Sequence, residues 1–165
     1  MSFIEDNDTD NYITDKKDWY RIKQYIPHDK VIWSPFYCNG EQKDIFSNMG
    51  YDIIHEDKDF FSYEPKYDII VDNPPFSRMK DICIKLKEIL TKLKEIDKPF
   101  ILIMPSSKIN AVWVQKLFRN DLQLIIPLKK IECKKYEDDK PFNFNWGLYY
   151  YGYKMNWDKD LIFID

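Results

Sequence analysis

The sequence predicts an α/β fold in which helices cover both faces of a mostly parallel sheet. Short runs of apolar residues, such as 31–33 and 100–104, recur along the chain, and segments with helical periodicity separate them. These runs are continuously apolar rather than alternating, as in strands that are buried on both faces. Buried strands that alternate with helices are typical of parallel sheets between two helical layers.

The predicted elements follow one another in a regular order. The strands are 31–33, 51–55, 67–71, 100–104, 122–126 and 147–154, and the helices are about 15–26, 41–49, 79–96 and 106–117. The helix at 79–96 has the clearest 3.6-residue period of apolar positions. Thr14 is the predicted N-cap of the first helix and Ser106 that of the last. Gly50 follows the end of the second helix, where a left-handed residue is expected.

Composition limits the classes of protein to which the chain can belong. Its 165 residues, 44% hydrophobic and 32% charged, predict one globular domain over 12–165 after a flexible acidic tail at 1–11. The net charge of −3 excludes a globally basic nucleic-acid binder. Three scattered cysteines without a CxxC motif argue against a disulfide scaffold and against a structural zinc site. We find no signal peptide and no apolar run long enough for a membrane span, so we expect a soluble cytoplasmic protein with no membrane partner.

An unusual polar and proline-rich segment directly follows the predicted strand at 67–71. Two prolines, Pro74 and Pro75, remove backbone donors, so that the Asn73 side chain and the Pro74 carbonyl can face outward as acceptors. The ring of Phe76 stands beside them. Two acceptors and a flat ring suit a planar amine, whose lone pair they would free for nucleophilic attack. The alternative is a proline-rich strand exit that ends in a core phenylalanine.

The segment from Asn73 to Ser77 resembles motif IV of class I amino-methyltransferases, which carry an (N/D/S)-P-P-(Y/F/W) tetrad. The chain is most similar to small viral and phage N6-adenine-type enzymes. Three further segments occur in the same order as in those enzymes: Tyr12 to Thr14, Trp33 to Phe36, and Asp59 to Phe61. The resemblance covers roughly residues 12–155. It implies a Rossmann-like, seven-stranded fold of the gamma linear order, S-adenosylmethionine as methyl donor, and the host cytoplasm as location if the protein is viral.

The resemblance also implies which residues would bind S-adenosylmethionine. Pro35, Phe36 and Gly40 would form the turn beside the methionine part, and Tyr12 and Thr14 would close over its end. The ribose and adenine contacts would come from Glu56, Asp59 and Phe60; Glu56 is chosen over Asp57 for the ribose hydroxyls.

The chain departs from the family pattern at two positions in the cofactor turn. Ser34 stands where an acidic residue is common, and Cys38 replaces the first of two glycines. A Cβ at Cys38 narrows the expected pocket, and the missing carboxylate removes a partner for the cofactor amine. Both departures favour a relative that has lost cofactor binding.

The substrate side of the site is predicted from aromatic residues near the end of the chain. By the resemblance, Phe144 stacks on the target base, with Phe142 and Trp146 as alternatives, and Ser77 completes the substrate-binding set. Nearby basic residues could attract a phosphate backbone or could form an ordinary solvated surface. They are Lys129, Lys130, Lys134, Lys135, Arg78 and Lys80.

Three functions fit the sequence. The first is an S-adenosylmethionine-dependent N6-adenine methyltransferase that acts on DNA or RNA, with Asn73, Pro74, Pro75 and Phe76 as its catalytic tetrad. The second is a catalytically inactive subunit of the same fold that binds or scaffolds a partner. The third is a methyltransferase for a protein glutamine amide or a guanine amine. Because we find no separate target-recognition domain, sequence selectivity would be low or would come from a specificity partner or a homodimer.

Overall fold

The computed structural model describes residues 12–75, 80–135, 141–142 and 147–165. The strands formed by these residues are β1 (Tyr12–Thr14), β2 (Val31–Trp33), β3 (Asp52–Ile54), β4 (Ile69–Asp72), β5 (Phe100–Pro105), β6 (Leu122–Pro127), β7 (Cys133–Lys135), β8 (Pro141–Phe142), β9 (Leu148–Tyr153) and β10 (Leu161–Ile164). The α-helices are α1 (Lys16–Tyr20), α2 (Glu41–Asn48), α3 (Lys80–Ile96) and α4 (Val112–Phe118). The described part of the chain contains no helix of the length and apolar character that a membrane span needs.

Seven of these strands form the main sheet, in the order β10-β6-β9-β5-β4-β2-β3. Strand β9 is antiparallel to both of its neighbours, and the other pairs are parallel. The prediction of a mostly parallel α/β sheet is therefore confirmed. The chain passes from β2 to β3 on one side and then returns to β4 on the other side. This reversal creates a crevice at the carboxyl ends of β2 and β4, the usual place for a ligand in such sheets.

Helices lie on both faces of the sheet, as the sequence predicts. Side chains along a strand alternate between the two faces of the sheet. Tyr150 and Tyr153 of β9 are an odd number of positions apart, so their side chains lie on opposite faces. The Tyr150 hydroxyl donates to the carbonyl of Asp18 in α1 at 2.5 Å. The Tyr153 ring packs edge-on against Phe118 of α4, with the ring centroids 5.2 Å apart. Helices α1 and α4 therefore cover opposite faces.

A second, three-stranded sheet has the order β1-β7-β8 and is entirely antiparallel. The sequence did not predict it. It pairs Tyr12 with Lys135 and Thr14 with Cys133. Strand β7 thereby holds the first described residues of the chain in place, and Thr14 reaches the loop that follows β4.

The first helix differs from the prediction. The predicted helix over 15–26 is a five-residue helix, α1, followed by a 3₁₀ turn at Lys23–Tyr25. The predicted cap at Thr14 is wrong: Thr14 belongs to β1, and the Asp15 side chain accepts from the Lys17 amide at 2.9 Å. At the end of α1 the Asp18 carbonyl accepts from the Tyr150 hydroxyl, and the Ile22 amide donates to the Trp19 carbonyl at 3.2 Å, a bond of 3₁₀ type.

The other predicted elements have the expected type. The predicted helices at 41–49 and 79–96 correspond to α2 and α3, and Gly50 has the expected left-handed conformation with a φ of 94°. The predicted strands lie within a few residues of the strands observed. The predicted cap at Ser106 is wrong, because Ser106 begins a 3₁₀ turn and α4 starts only at Val112. Strand β10 had no counterpart among the predicted segments.

Candidate functional site

A cavity of about 200 Å³ lies at the carboxyl ends of β2 and β4, in the crevice described above. Its wall combines β1, the loop and helix that follow β2, and the loop that follows β4. The sequence-predicted site residues that line it are Tyr12, Thr14, Phe36, Asn73 and Pro75. The fold therefore brings together residues from three separate segments of the chain.

The amide of Asn73 is held in one orientation at this cavity. Its Nδ2 donates to the Thr14 hydroxyl oxygen at 2.9 Å and approaches the Cys133 sulfur at 3.8 Å. Its Oδ1 is buried and accepts no hydrogen bond from any described residue. Buried polar side-chain atoms nearly always have a partner, so this oxygen has acceptor capacity that the described residues leave unused.

Asp72, which the sequence analysis did not single out, joins the two loops of the crevice. Its Oδ2 accepts from the backbone N–H of Phe36 at 2.7 Å, and its Oδ1 accepts from the backbone N–H of Asn73, also at 2.7 Å. The side chain is almost fully buried. Burial raises the pKa of Asp72 to about 6, and the nearby His55 opposes that rise. The position directly before the tetrad was the only signal in the sequence that could have identified this residue.

Gln42 of α2 is a second residue that the sequence reasoning missed. Its Nε2 donates to the Ser34 hydroxyl at 2.6 Å and to Asp72 Oδ1 at 3.1 Å. Gln42 therefore connects the end of β2 with the end of β4. Ser34, its partner in β2's exit loop, stands where the amino-methyltransferases that the sequence resembles often have an acidic residue. The carboxylate of Asp72, on the adjacent strand, is the negatively charged group of this region.

The turn after β2 is tightly filled. Gly40 has a φ of 82°, and a Cβ built on it would lie 2.7 Å from the Tyr37 hydroxyl oxygen. The Tyr37 ring stacks on His55, with centroids 5.0 Å apart. Cys38 has a φ of 51°, which is the left-handed region that favours glycine. The backbone thus keeps a glycine-type conformation at Cys38, where the resembling enzymes have a glycine.

The predicted ribose and adenine contacts lie beside the cavity rather than on its wall. Glu56 accepts from the Tyr63 hydroxyl at 2.9 Å, and this hydrogen bond lowers the pKa of Glu56. Phe60 is buried and packs against Phe36 at a centroid distance of 5.3 Å. Asp59 is exposed. Their roles toward a cofactor stay predictions.

Some of the remaining predicted site residues lie in the described part of the chain and others do not. Pro35 and Pro74 are buried and do not line the cavity. Phe76, Ser77, Arg78, Phe144 and Trp146 lie outside the described residues. The backbone of Phe142 is described, and it pairs with Cys133 in the small sheet.

A second cavity of about 310 Å³ adjoins the first. The two share Ile13, Thr14 and Ile45 in their walls, and Lys134 lines only the second. Small-molecule sites usually enclose about 300–1,000 Å³, so the first cavity lies below this range and the second lies at its lower end.

Two solved structures illustrate what the chain is similar to. One is the crystal structure of TrmN from Thermus thermophilus, with 9% sequence identity and a TM-score of 0.44 over 84% of this chain and 48% of that chain. The other is a possible methylase from Clostridium difficile 630, with 14% identity and a TM-score of 0.38 over 84% of this chain and 37% of that chain. The chain thus spans less than half the length of either. No protein-family model and no curated protein matches the chain.

Proposed function

We propose that the protein is an S-adenosylmethionine-dependent methyltransferase that methylates an exocyclic amine, with the N6 amine of adenine in DNA or RNA as its substrate. The observation that carries the proposal is the buried Asn73 Oδ1, which no described residue satisfies. The N–H groups of a planar amine could donate a hydrogen bond to this oxygen.

The chain's own residues would position the amine rather than deprotonate it. Thr14 and Cys133 fix the orientation of the Asn73 side-chain amide through its nitrogen. Asn73 Oδ1 would accept one amine hydrogen. By the resemblance, the Pro74 carbonyl would accept the other once substrate is bound, although Pro74 does not line the cavity. These two bonds would draw the nitrogen lone pair out of conjugation with the base. Holding the reacting atoms in one geometry removes much of the entropic barrier to transfer, and fixed dipoles favour the charge that develops on nitrogen.

The residues around the cavity fit the proposed methyl donor. S-adenosylmethionine would supply an electrophilic methyl group on a positively charged sulfur. The rings of Tyr12, Phe36 and Tyr37 line the cavity, and aromatic faces attract such cations. Asp72 and Gln42 fasten the turn that carries Phe36 to the loop that carries Asn73. The aromatic wall and the amide acceptor therefore keep a fixed separation.

The proposal is tested by transfer of a labelled methyl group to mixed DNA, RNA and protein substrates. We expect label on nucleic acid and expect Asn73→Ala to lower the rate at least 100-fold, with an unchanged circular dichroism spectrum. Asn120→Ala is the matched control, because Asn120 is exposed and lies in the turn before β6. Full activity in Asn73→Ala would contradict the role of the tetrad. Label on a glutamine amide or on guanine would keep the chemistry and change the substrate.

A catalytically inactive binding subunit is the second candidate. The filled turn favours it, because the Tyr37 ring lies over Gly40 and Cys38 carries a side chain in a glycine-type conformation. A ligand that binds only the folded protein must raise its melting temperature. Thermal-shift titration with S-adenosylmethionine therefore separates the candidates: a rise with ligand concentration supports the enzyme, and no rise supports the binding subunit.

A further inference from the structure

The Tyr37 side chain covers the backbone of the turn that follows β2. A Cβ built on Gly40 would lie 2.7 Å from the Tyr37 hydroxyl oxygen and 2.9 Å from the ring carbon Cζ that carries it. One use of a glycine is to let a ligand approach the backbone closely. At Gly40 the group that makes this approach is a side chain of the same turn.

The face of the Tyr37 ring packs on a second fixed group, the imidazole of His55. The two rings are stacked, with centroids 5.0 Å apart and an interplanar angle of 29°. His55 is 4% exposed, and its Nδ1 donates to the Ser34 carbonyl oxygen at 2.8 Å, because a carbonyl can only accept. Tyr37 lines the first cavity, whereas Gly40 and His55 do not. The ring thus separates these two groups from the cavity.

Packing, rather than hydrogen bonding, holds the Tyr37 ring in this position. Its hydroxyl forms no hydrogen bond with the described residues, whereas the hydroxyls of Tyr51 and Tyr150 donate to backbone carbonyls at 2.9 and 2.5 Å. The turn itself is closed by the Gly40 amide, which donates to the Tyr37 carbonyl at 2.9 Å. Rotation of the side chain about its own bonds would leave that backbone bond intact. The cost includes the loss of one stacked pair, which corresponds to roughly a two- to tenfold change in an equilibrium constant.

The cavity beside the ring has a volume of about 200 Å³, below the range of about 300–1,000 Å³ that small-molecule sites usually enclose. We propose that Tyr37 is a displaceable cover of this turn, whose ring leaves Gly40 and His55 when S-adenosylmethionine binds. This inference rests on the proposed function and adds a conformational step to it. Because the ligand needs the wider cavity, it shifts the population toward the conformation with the ring turned out. The closed fraction of the protein then lowers the apparent affinity.

The first test follows the imidazole of His55 by NMR in the whole chain. The chain has two histidines, and His28 also stacks on a tyrosine, Tyr51, with centroids 5.5 Å apart. Protons above the face of an aromatic ring resonate upfield of their usual position, so each imidazole reports on its stacking partner. Adding S-adenosylmethionine at constant pH should move the His55 ring signals downfield and leave those of His28 in place. The variant His28→Asn assigns the signals.

Tyr37→Ala calibrates this shift. It should move the His55 signals downfield without ligand, and the ligand should then cause no further downfield shift. Calorimetry on the same wild-type sample shows whether S-adenosylmethionine binds. Binding that leaves the His55 signals in place would overturn the cover and leave the proposed function standing. Absence of any binding would overturn both.

The second test compares affinities for S-adenosylmethionine by isothermal titration calorimetry. Tyr37→Ala removes the cover and should lower the dissociation constant about three- to tenfold, since stacking no longer opposes opening. Tyr37→Phe is the matched control: it keeps the ring, so its dissociation constant should stay within about twofold of wild type. A Tyr37→Ala protein that binds no more tightly than wild type would overturn the proposal. The NMR titration of wild type needs no variant, so it decides the matter even if Tyr37→Ala folds poorly.

Discussion

The residues of the crevice depend on one another through a few short hydrogen bonds. The Asn73 amide is oriented by Thr14 and Cys133, and the Asn73 backbone is fixed by Asp72. Asp72 also holds the Phe36 amide, so one carboxylate fixes both loops. The acceptor at Asn73 therefore has a fixed orientation, which the proposed role in positioning an amine requires.

Replacing Cys38 by glycine should stabilise the protein by about 0.5–1 kcal/mol. The left-handed conformation at Cys38 costs a residue with a Cβ roughly 1–2 kcal/mol, whereas the extra freedom of glycine in the unfolded chain costs roughly 0.5–1 kcal/mol. Urea unfolding of Cys38→Gly measures the gain. Cys38→Ala is the control: it removes the thiol but keeps the Cβ, so it should show no such gain. Equal stabilities of the two variants would indicate that the Cβ is not the source of the strain.

At the scale of elements, the last strands are fixed to the sheet by close packing around Gly152. Trp157, in the connection between β9 and β10, lies directly over this glycine, and its indole nitrogen donates to the Tyr25 carbonyl at 3.1 Å. A Cβ on Gly152 would come within 2.6 Å of the Trp157 ring. The segment that leads into β10 thus depends on a position without a side chain.

Gly152→Ala should therefore destabilise the fold by about 1–3 kcal/mol, the usual range for overpacking a filled site. Gly147→Ala is the matched control, because a Cβ on Gly147 would have no atom within 4 Å. The midpoints of urea unfolding for the two variants provide the comparison. A Gly152→Ala protein as stable as wild type would show that Trp157 moves aside at little cost.

At the scale of the whole molecule, the buried Asp72 carboxyl influences the dependence of stability on pH. Its pKa in the folded protein is about 6, above the ordinary value of 3.8. Between these values the folded state binds the proton more strongly than the unfolded state does. The free energy of unfolding therefore falls as the pH rises from about 4 to about 6.

The measurement compares wild type with Asp72→Asn, in which this position does not titrate. Unfolding free energies are obtained in urea at several pH values between 4 and 7. The stability of wild type minus that of the variant should decrease as the pH rises and should become constant above about pH 7. Parallel curves for the two proteins would show that Asp72 titrates alike in the folded and unfolded states.

The sequence predicted the main sheet well because its strands are continuously apolar and its long helix α3 has a clear period. It also placed Asn73 and Thr14 in one site, through a family resemblance. It did not predict the contacts of Gln42 and Asp72, because these depend on loops from different strands meeting in space. Strands of three residues, such as β1 and β7, carry too little pattern to be predicted from local sequence.

The pairing of β1 with β7 also bears on how the proposed activity would respond to heating. The bonds that orient Asn73 join positions 59 and 60 residues apart. Among the described residues, β1 pairs with β7 over three positions. Such a short pairing opens at a smaller free-energy cost than the central strands of the sheet. Once β1 separates, Asn73 loses the hydroxyl that fixes its amide, although the main sheet is still folded. Inactivation by heat would therefore begin below the melting temperature and would reverse on cooling.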